Sequence, residues 1–265
     1  ISTLISHLQI FQFLVHHQFF PYISFTSSSL LSGIGHVNLE KEQPKNLPIG
    51  ITDLRQVLEG GYVYVDKTGL IYEMMIEHNY DYFMVRPTGF GKTLFMSTLE
   101  EIFKGNKKLF EGTAIHRSDY SWMVSPVLRF DISQMDPWEF EASLKEELKN
   151  MAKAHGVSLT ADTTLKCQLQ NLVEELSKNS NSRVVILIDE YDSPIIKNLN
   201  RNLETAEVTR NILATFLTTL TSLSNDFLQF IFVTGVNHFS VCGPQGCGLY
   251  HLKDITLNPK YASLM

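Results

Sequence analysis

Cysteine is scarce in this chain, with Cys167, Cys242 and Cys247 the three in 265 residues. So small and odd a number excludes a disulfide framework and points to a reducing, intracellular compartment, cytoplasmic or nuclear. Runs of basic residues are lacking too. The longest cluster is Lys104, Lys107 and Lys108, and the formal net charge is -6 with a pI of about 5.8. Such a balance gives no general attraction to a polyanion, so nucleic-acid binding would need a local patch that the sequence does not show. The three lysines suit a solvated helix end. A long unbroken apolar run is the third absence. The opening stretch ISTLISHLQIFQFLVHHQFFPYISF is interrupted by His7, Gln9, Gln12, His16, His17 and Gln18, whereas a bilayer span wants about 20 nearly continuous apolar residues. It also lacks the basic start and small-residue cleavage site of a signal peptide. No membrane role is expected.

What is present is apolar material for one large folded domain, 44% of the residues being hydrophobic and 19% charged. Residues 1–46 do not resemble the rest, and the chain starts at Ile1 rather than Met. They read as a non-native extension or gene-model artefact, poorly ordered, with Ser27 to Ser29, Gly33, Gly35 and Pro44 forming a linker. The domain is expected over residues 47–265.

The organising stretch is Tyr80 to Thr93, YDYFMVRPTGFGKT. Tyr82 to Val85 read as a strand, and Leu94, Phe95, Thr98, Leu99, Ile102 and Phe103 fall at helical spacing. Between them Arg86, Pro87, Thr88, Gly89, Phe90, Gly91, Lys92 and Thr93 read as a phosphate-binding loop of the Walker A kind, whose backbone N–H groups hold phosphate oxygens. Lys92 would meet the β and γ phosphates, and the Thr93 hydroxyl would bind Mg²⁺. Arg86 stands where the general pattern G-x-x-x-x-G-K-[ST] has its first glycine.

The second informative stretch is Arg183 to Asp192, RVVILIDEYD. Five successive apolar residues, Val184 to Ile188, match a strand buried on both faces of a parallel sheet. Asp189 then suits a Walker B role, holding Mg²⁺, and Glu190 the orientation of the attacking water; Asp192 is a third acid. A further buried strand, Phe227 to Val233, ends in Thr234, which would point into the same crevice, with Asn237 as the alternative polar group. Other expected elements are a helix over Asp53 to Leu58, a strand over Tyr62 to Val65, a strand over Pro126 to Ile132, and helices over 137–154, 164–177 and 203–223. Asp66 and Thr68 either cap the helix that follows them or lie near a nucleotide base. His238, Cys242, Cys247 and His251 have the residue types of a zinc site, set against a surface loop with incidental thiols.

The blocks LPIGITDLRQVLEGGYVYVDKTGLIYEM, YFMVRPTGFGKTLFMSTLEEIFKGNKKLFEG, VVILIDEYDSPI, FIFVTGVNHFS and LKDITLNPKYASLM together resemble the AAA-ATPase-like domain family, from about Leu47 to the last residue. The family's loop usually reads R-P-R-R-F-G-K-S, so Arg86 in place of glycine is a family trait, while Thr88, Gly89 and Thr93 depart from it. The resemblance implies a three-layer α/β P-loop NTPase core of the additional-strand (ASCE) kind. Its sheet would be mostly parallel, with strand order 5-1-4-3-2 and the fifth strand at Asp254 to Leu257. Family members continue into a helical lid and often a PD-(D/E)XK nuclease domain, which a chain stopping at Met265 is expected to lack, and differ over Val241 to Gly248. The function implied is binding of ATP with Mg²⁺ and its slow hydrolysis, Lys92, Glu190 and Thr234 acting on the phosphates and water. No arginine finger can be assigned; if hydrolysis needs one in trans, self-association or a protein partner would supply it. The alternative is a non-hydrolysing nucleotide-gated interaction module or an inactive fragment, accessory to a nuclease. Any tie to nucleic acid comes from family association alone.

Overall fold

The computed structural model describes residues 45–77, 81–159, 163–199, 201–239, 242–243, 246–247 and 249–264. The expectation for residues 1–46 lies almost wholly outside them.

The uninterrupted apolar run at residues 184–188 becomes the middle of the molecule. β3 (Val184–Asp189) is buried along its whole length, which is possible only where both sheet faces are covered. Its side chains alternate between two cores: Val184, Ile186 and Ile188 enter one, Val185 and Leu187 the other. Around it lie β1 (Tyr82–Val85), β2 (Val127–Asp131), β4 (Leu228–Gly235) and β7 (Lys253–Asp254). Among the described residues these five strands form one sheet in the order β2-β3-β4-β1-β7, every neighbouring pair parallel. A separate two-stranded ladder, β5 (Cys242–Gly243) with β6 (Gly246–Cys247), was not expected.

Helices cover the two faces. Leu54 of α1 (Leu54–Glu59), Ile71 and Met74 of α2 (Thr68–Ile76) and the apolar stripe of α3 (Lys92–Phe103) pack against Tyr82, Met84, Val185, Leu187, Phe230 and Phe232. On the other face α4 (Phe140–Ala154), α5 (Leu165–Ser180), α6 (Ser193–Leu199) and α7 (Leu203–Phe227) pack against Phe83, Leu128, Phe130, Ile186, Ile188 and Val233. Burying side chains of this size contributes about 1.5–3 kcal/mol each. A charge at Ile186 would therefore break the sheet at its centre.

Local signals set the boundaries. Asp53 is the N-cap of α1 and accepts from the Gln56 amide at 2.8 Å. Thr164 caps α5, which ends on Asn181 in the left-handed region at φ 50°. Two expected strands differ. Tyr62 to Val65 are not a strand, because the Tyr62 amide is taken by the Val57 carbonyl and the Val63 amide by Asn46. The edge strand is the pair Lys253–Asp254 rather than Asp254 to Leu257. Just beyond it the Thr256 hydroxyl, not a main-chain carbonyl, accepts from the Val85 amide at 3.1 Å, so the ladder stops.

Candidate functional site at the carboxyl ends of the strands

Strand alternation sorts the polar residues. On β2 the set Val127, Arg129, Asp131 shares the face of α3, as do Leu187 and Asp189 on β3, and Phe232 and Thr234 on β4. Register aligns Asp131 with Asp189, and Met84 of β1 with Thr234. Asp131, Asp189 and Thr234 thus stand in a row at the carboxyl edge, on the side where α3 begins.

The 86–91 segment crosses this edge. Gly89 (φ 86°) and Gly91 (φ 85°) are both left-handed, a conformation that costs other residues about 1–2 kcal/mol. No heavy atom would meet a Cβ at either one, so their exposed backbone borders open space. Gly91 is the N-cap of α3 and makes no side-chain cap, leaving the first amides of that helix unclaimed by a cap residue. Lys92 follows and is 4% exposed. Its Nζ reaches the carbonyls of Arg86 (3.1 Å) and Pro87 (3.3 Å) and Oε1 of Glu190 (3.1 Å).

Glu190 would point to the opposite face if β3 continued. Instead its φ is 56°. This left-handed turn re-aims the side chain, at a backbone cost of order 1–3 kcal/mol, and cluster sites of function are where such strain is found. Asp189 receives a hydrogen bond from the Thr93 side chain, yet its Oδ1 is buried with no partner among the described residues. Burial pushes its carboxyl above the ordinary range, with Glu190 and Asp131 adding to the shift and Thr93 and Arg129 opposing it. Thr234 is fully buried and its Oγ1 also lacks a partner. Two buried oxygens left open side by side on neighbouring strands suit a bound cation, water or ligand better than a finished core.

Lys92, Thr93, Asp189, Glu190 and Thr234 are therefore brought together. Arg86 is directed elsewhere: its Nη1 donates to the carbonyls of Val85 (3.1 Å) and Thr256 (2.5 Å), tying the loop to the sheet edge. Asp66 lies one residue before Lys67, the N-cap of α2, and accepts from the Thr68 amide and hydroxyl through Oδ1 and from the Ala114 amide through Oδ2. His238 stands 3.1 Å from Asp254 Oδ2 with its ring edge-on to Phe83. The side chains of Cys242 and Cys247 lie outside the described residues, and within those no group of three metal-binding residues occurs.

Asp131 and Arg129 were missed by sequence reading. Asp131 Oδ1 accepts from the Ser133 amide and hydroxyl. Arg129 pairs with Glu100 at 2.9 Å and reaches the Thr93 carbonyl at 3.4 Å, bracing the first turn of α3. An acid closing an apolar strand was the one available signal, and β2 carries it as β3 does. A cavity of about 1040 Å³ opens at the opposite, amino end of the sheet, beside Arg183 and Leu228. Its carboxylates are each engaged, Glu77 by Lys253 and Lys260, Asp81 by Ser224 and the Ile231 amide, and Asp119 by the Tyr72 hydroxyl.

The class defined by this fold is α/β with a parallel five-stranded sheet. The family described as Predicted AAA-ATPase matches residues 48–243, and the chain belongs to it. It is also similar to the "Uncharacterized protein in vnfD 5'region" of Azotobacter chroococcum mcd 1, at 36% identity over 225 residues. That match covers 83% of this chain and 42% of the relative, so the chain spans under half of that protein's length. Among the described residues no helix is long and apolar enough to cross a membrane.

Proposed function

We propose that the chain binds ATP with Mg²⁺ through the 86–93 segment and hydrolyses it. The observation that carries this reading is the pair of buried, unpartnered oxygens, Asp189 Oδ1 and Thr234 Oγ1, beside the buried Lys92–Glu190 ion pair. These residues fit the group: Thr93 and Asp189 would be the oxygen donors for the metal, and backbone amides from Gly89 to Thr93 would hold the phosphates. Bound Mg²⁺ supplies neutralisation of charge on the β and γ oxygens.

Lys92 exchanges Glu190 for phosphate oxygens when the nucleotide enters. Glu190, released, accepts a hydrogen bond from a water aligned with the γ-phosphorus. As the water oxygen bonds to phosphorus, the bond to the ADP oxygen breaks and Glu190 takes the proton. Thr234 donates its hydroxyl to the γ-phosphoryl oxygen. Positioning and charge stabilisation do the catalytic work, as expected for phosphoryl transfer.

A second reading, a nucleotide-gated module without turnover, is favoured by the same ion pair, since a Glu190 that stays bound to Lys92 is not available to a water. The test uses the full chain, measuring Mg²⁺-dependent ATP binding and phosphate release for the parent, Lys92→Ala and Glu190→Gln, with melting curves to confirm folding. The expected pattern is turnover by the parent, lost binding for Lys92→Ala, and binding without turnover for Glu190→Gln. Binding without phosphate release by the parent supports the second reading, or an activating group from another copy or protein. A folded parent that binds no nucleotide refutes both.

A further inference from the structure

Charge does not balance at the carboxyl edge where β2 meets β3. Glu190 is paired with Lys92 at 3.1 Å, and Arg129 is drawn away to Glu100 at 2.9 Å and to the Thr93 carbonyl at 3.4 Å. Asp131 and Asp189 remain, and among the described residues neither forms an ion pair. The two stand directly opposite in the β2–β3 register, on the face covered by α3. Neighbouring strands lie about 4.7–4.9 Å apart, and like charges facing each other across them are destabilising. The repulsion is felt at Asp189, where Asp131 is one of the groups that push the carboxyl up.

The local fold does not need a charge at Asp131. This half-buried residue is the N-cap of the short turn Ile132–Gln134, and its Oδ1 accepts from the Ser133 amide at 3.1 Å and the Ser133 hydroxyl at 2.6 Å. Asn or Ser caps such a turn equally well. Ser133 fixes the carboxylate through one oxygen, and among the described residues nothing donates to the other. On the neighbouring strand Asp189 is 1% exposed, and its Oδ1 is open among the described residues. Two facing carboxylates, each with an oxygen to spare and no cation partner, carry the charge that one divalent cation neutralises. Mg²⁺ gives up its waters reluctantly and binds through few carboxylates, so the waters it keeps need acceptors nearby.

We propose that Asp131 is a positioning residue of the metal site: it accepts from a water on the divalent cation that Thr93 and Asp189 would bind, and it supplies the second negative charge. This rests on the ATPase reading and adds to it a carboxylate from the strand beside the one that bears Asp189. Asp131 itself touches neither the nucleotide nor the attacking water.

The experiment compares the full chain with Asp131→Asn and Asp131→Ser, taking Asp189→Asn as the reference for loss of a direct ligand. Four quantities are read per folded molecule: the Mg²⁺ concentration that half-saturates the metal-dependent part of ATP binding, the Kd of Mn²⁺ in the ADP complex by electron paramagnetic resonance, the ATP Kd in chelator, and the melting temperature in chelator. Both Asp131 variants should need about 10- to 100-fold more metal, the usual effect of removing a group that holds a metal's ligands. ATP binding in chelator should not weaken, because one negative charge near the phosphates has gone. Melting in chelator should match or exceed the parent's, since both substitutes keep a cap acceptor and remove the repulsion. A residue that only caps the turn would move the melting temperature and leave the metal affinity alone. Two substitutes are used so that misfolding of one does not end the test. The inference is overturned if either folded variant fills with metal at the parent's concentration, or if ATP binding weakens by the same factor in chelator as in Mg²⁺. Parent-like metal affinity in the Asp131 variants beside its loss in Asp189→Asn overturns this inference alone. A parent whose nucleotide binding does not depend on metal places the fault in the ATPase reading and removes this inference with it.

Discussion

Replacing Asp189 with Asn should make the nucleotide-free protein more stable while removing its metal-dependent chemistry. Asp189 is 1% exposed, and its Oδ1 has no partner among the described residues. Burial holds its carboxyl above the ordinary range, with Glu190 and Asp131 contributing like charge and only the Thr93 hydrogen bond and Arg129 opposing. The sign follows from linkage. A folded-state pKa above the unfolded one means that the folded protein binds the proton more tightly, so stability falls as pH rises from the ordinary aspartate range through the raised value. Asn keeps the shape and an acceptor for Thr93 but carries no charge. Relief of a destabilised functional group commonly returns about 0.5–2 kcal/mol, and for a domain of this size that raises the melting temperature by about 1–8 °C. Thermal melts in chelator at several pH values measure it: the variant should melt higher at pH 7, and the gap should shrink towards acid pH. ATP with Mg²⁺ at about 100 times Kd should add about 2.7 kcal/mol to the parent and much less to the variant, reversing their order. A variant that melts below the parent in chelator at pH 7, or a gap that widens on acidification, refutes the argument.

Two other perturbations test the frame around the site. Gly235→Ala puts a Cβ 2.5 Å from a buried carboxylate oxygen and 2.6 Å from a buried ring; overpacking of this kind costs about 1–3 kcal/mol, and denaturant unfolding should show a lower midpoint at unchanged slope. At the sheet edge Glu77 joins Lys253 (2.9 Å), Lys260 (2.6 Å) and the Tyr261 hydroxyl (3.2 Å), and the hydrogen bonds from the two lysines pull its carboxyl down to about 2. A lowered acid stabilises above its unfolded pKa and loses that contribution as pH falls towards about 2. Glu77→Gln should therefore remove part of the acid dependence between about pH 4.5 and 2, worth about 1 kcal/mol or less after solvent screening, and 1 M salt should shrink the difference. Equal acid titration of parent and variant would show that the cluster does not hold the edge.

Much of this architecture was legible because its signals are local. Residues 184–188 announce a strand covered on both sides, and the 86–93 segment has the small residues that a left-handed turn before a helix requires. The site's remaining members depend on register, which no local pattern contains. Asp131 resembles any acid at a strand end until β2 and β3 pair it with Asp189. Arg86 lies inside the loop motif, yet its guanidinium is claimed by a carbonyl 170 residues away. Tyr62 to Val65 alternate as a strand would, but the amides of Tyr62 and Val63 are already taken by Val57 and Asn46, and side-chain alternation cannot supply a missing neighbour. Asp192 shows the limit most plainly. In sequence it is a third acid after two better ones, whereas in the fold the parallel placement of β4 beside β3 converts it from a candidate ligand into an acceptor for the Val236 and Asn237 amides. Sequence identified the residue types that the chemistry needs; strand order and register decide which of them face the crevice and which stand behind it.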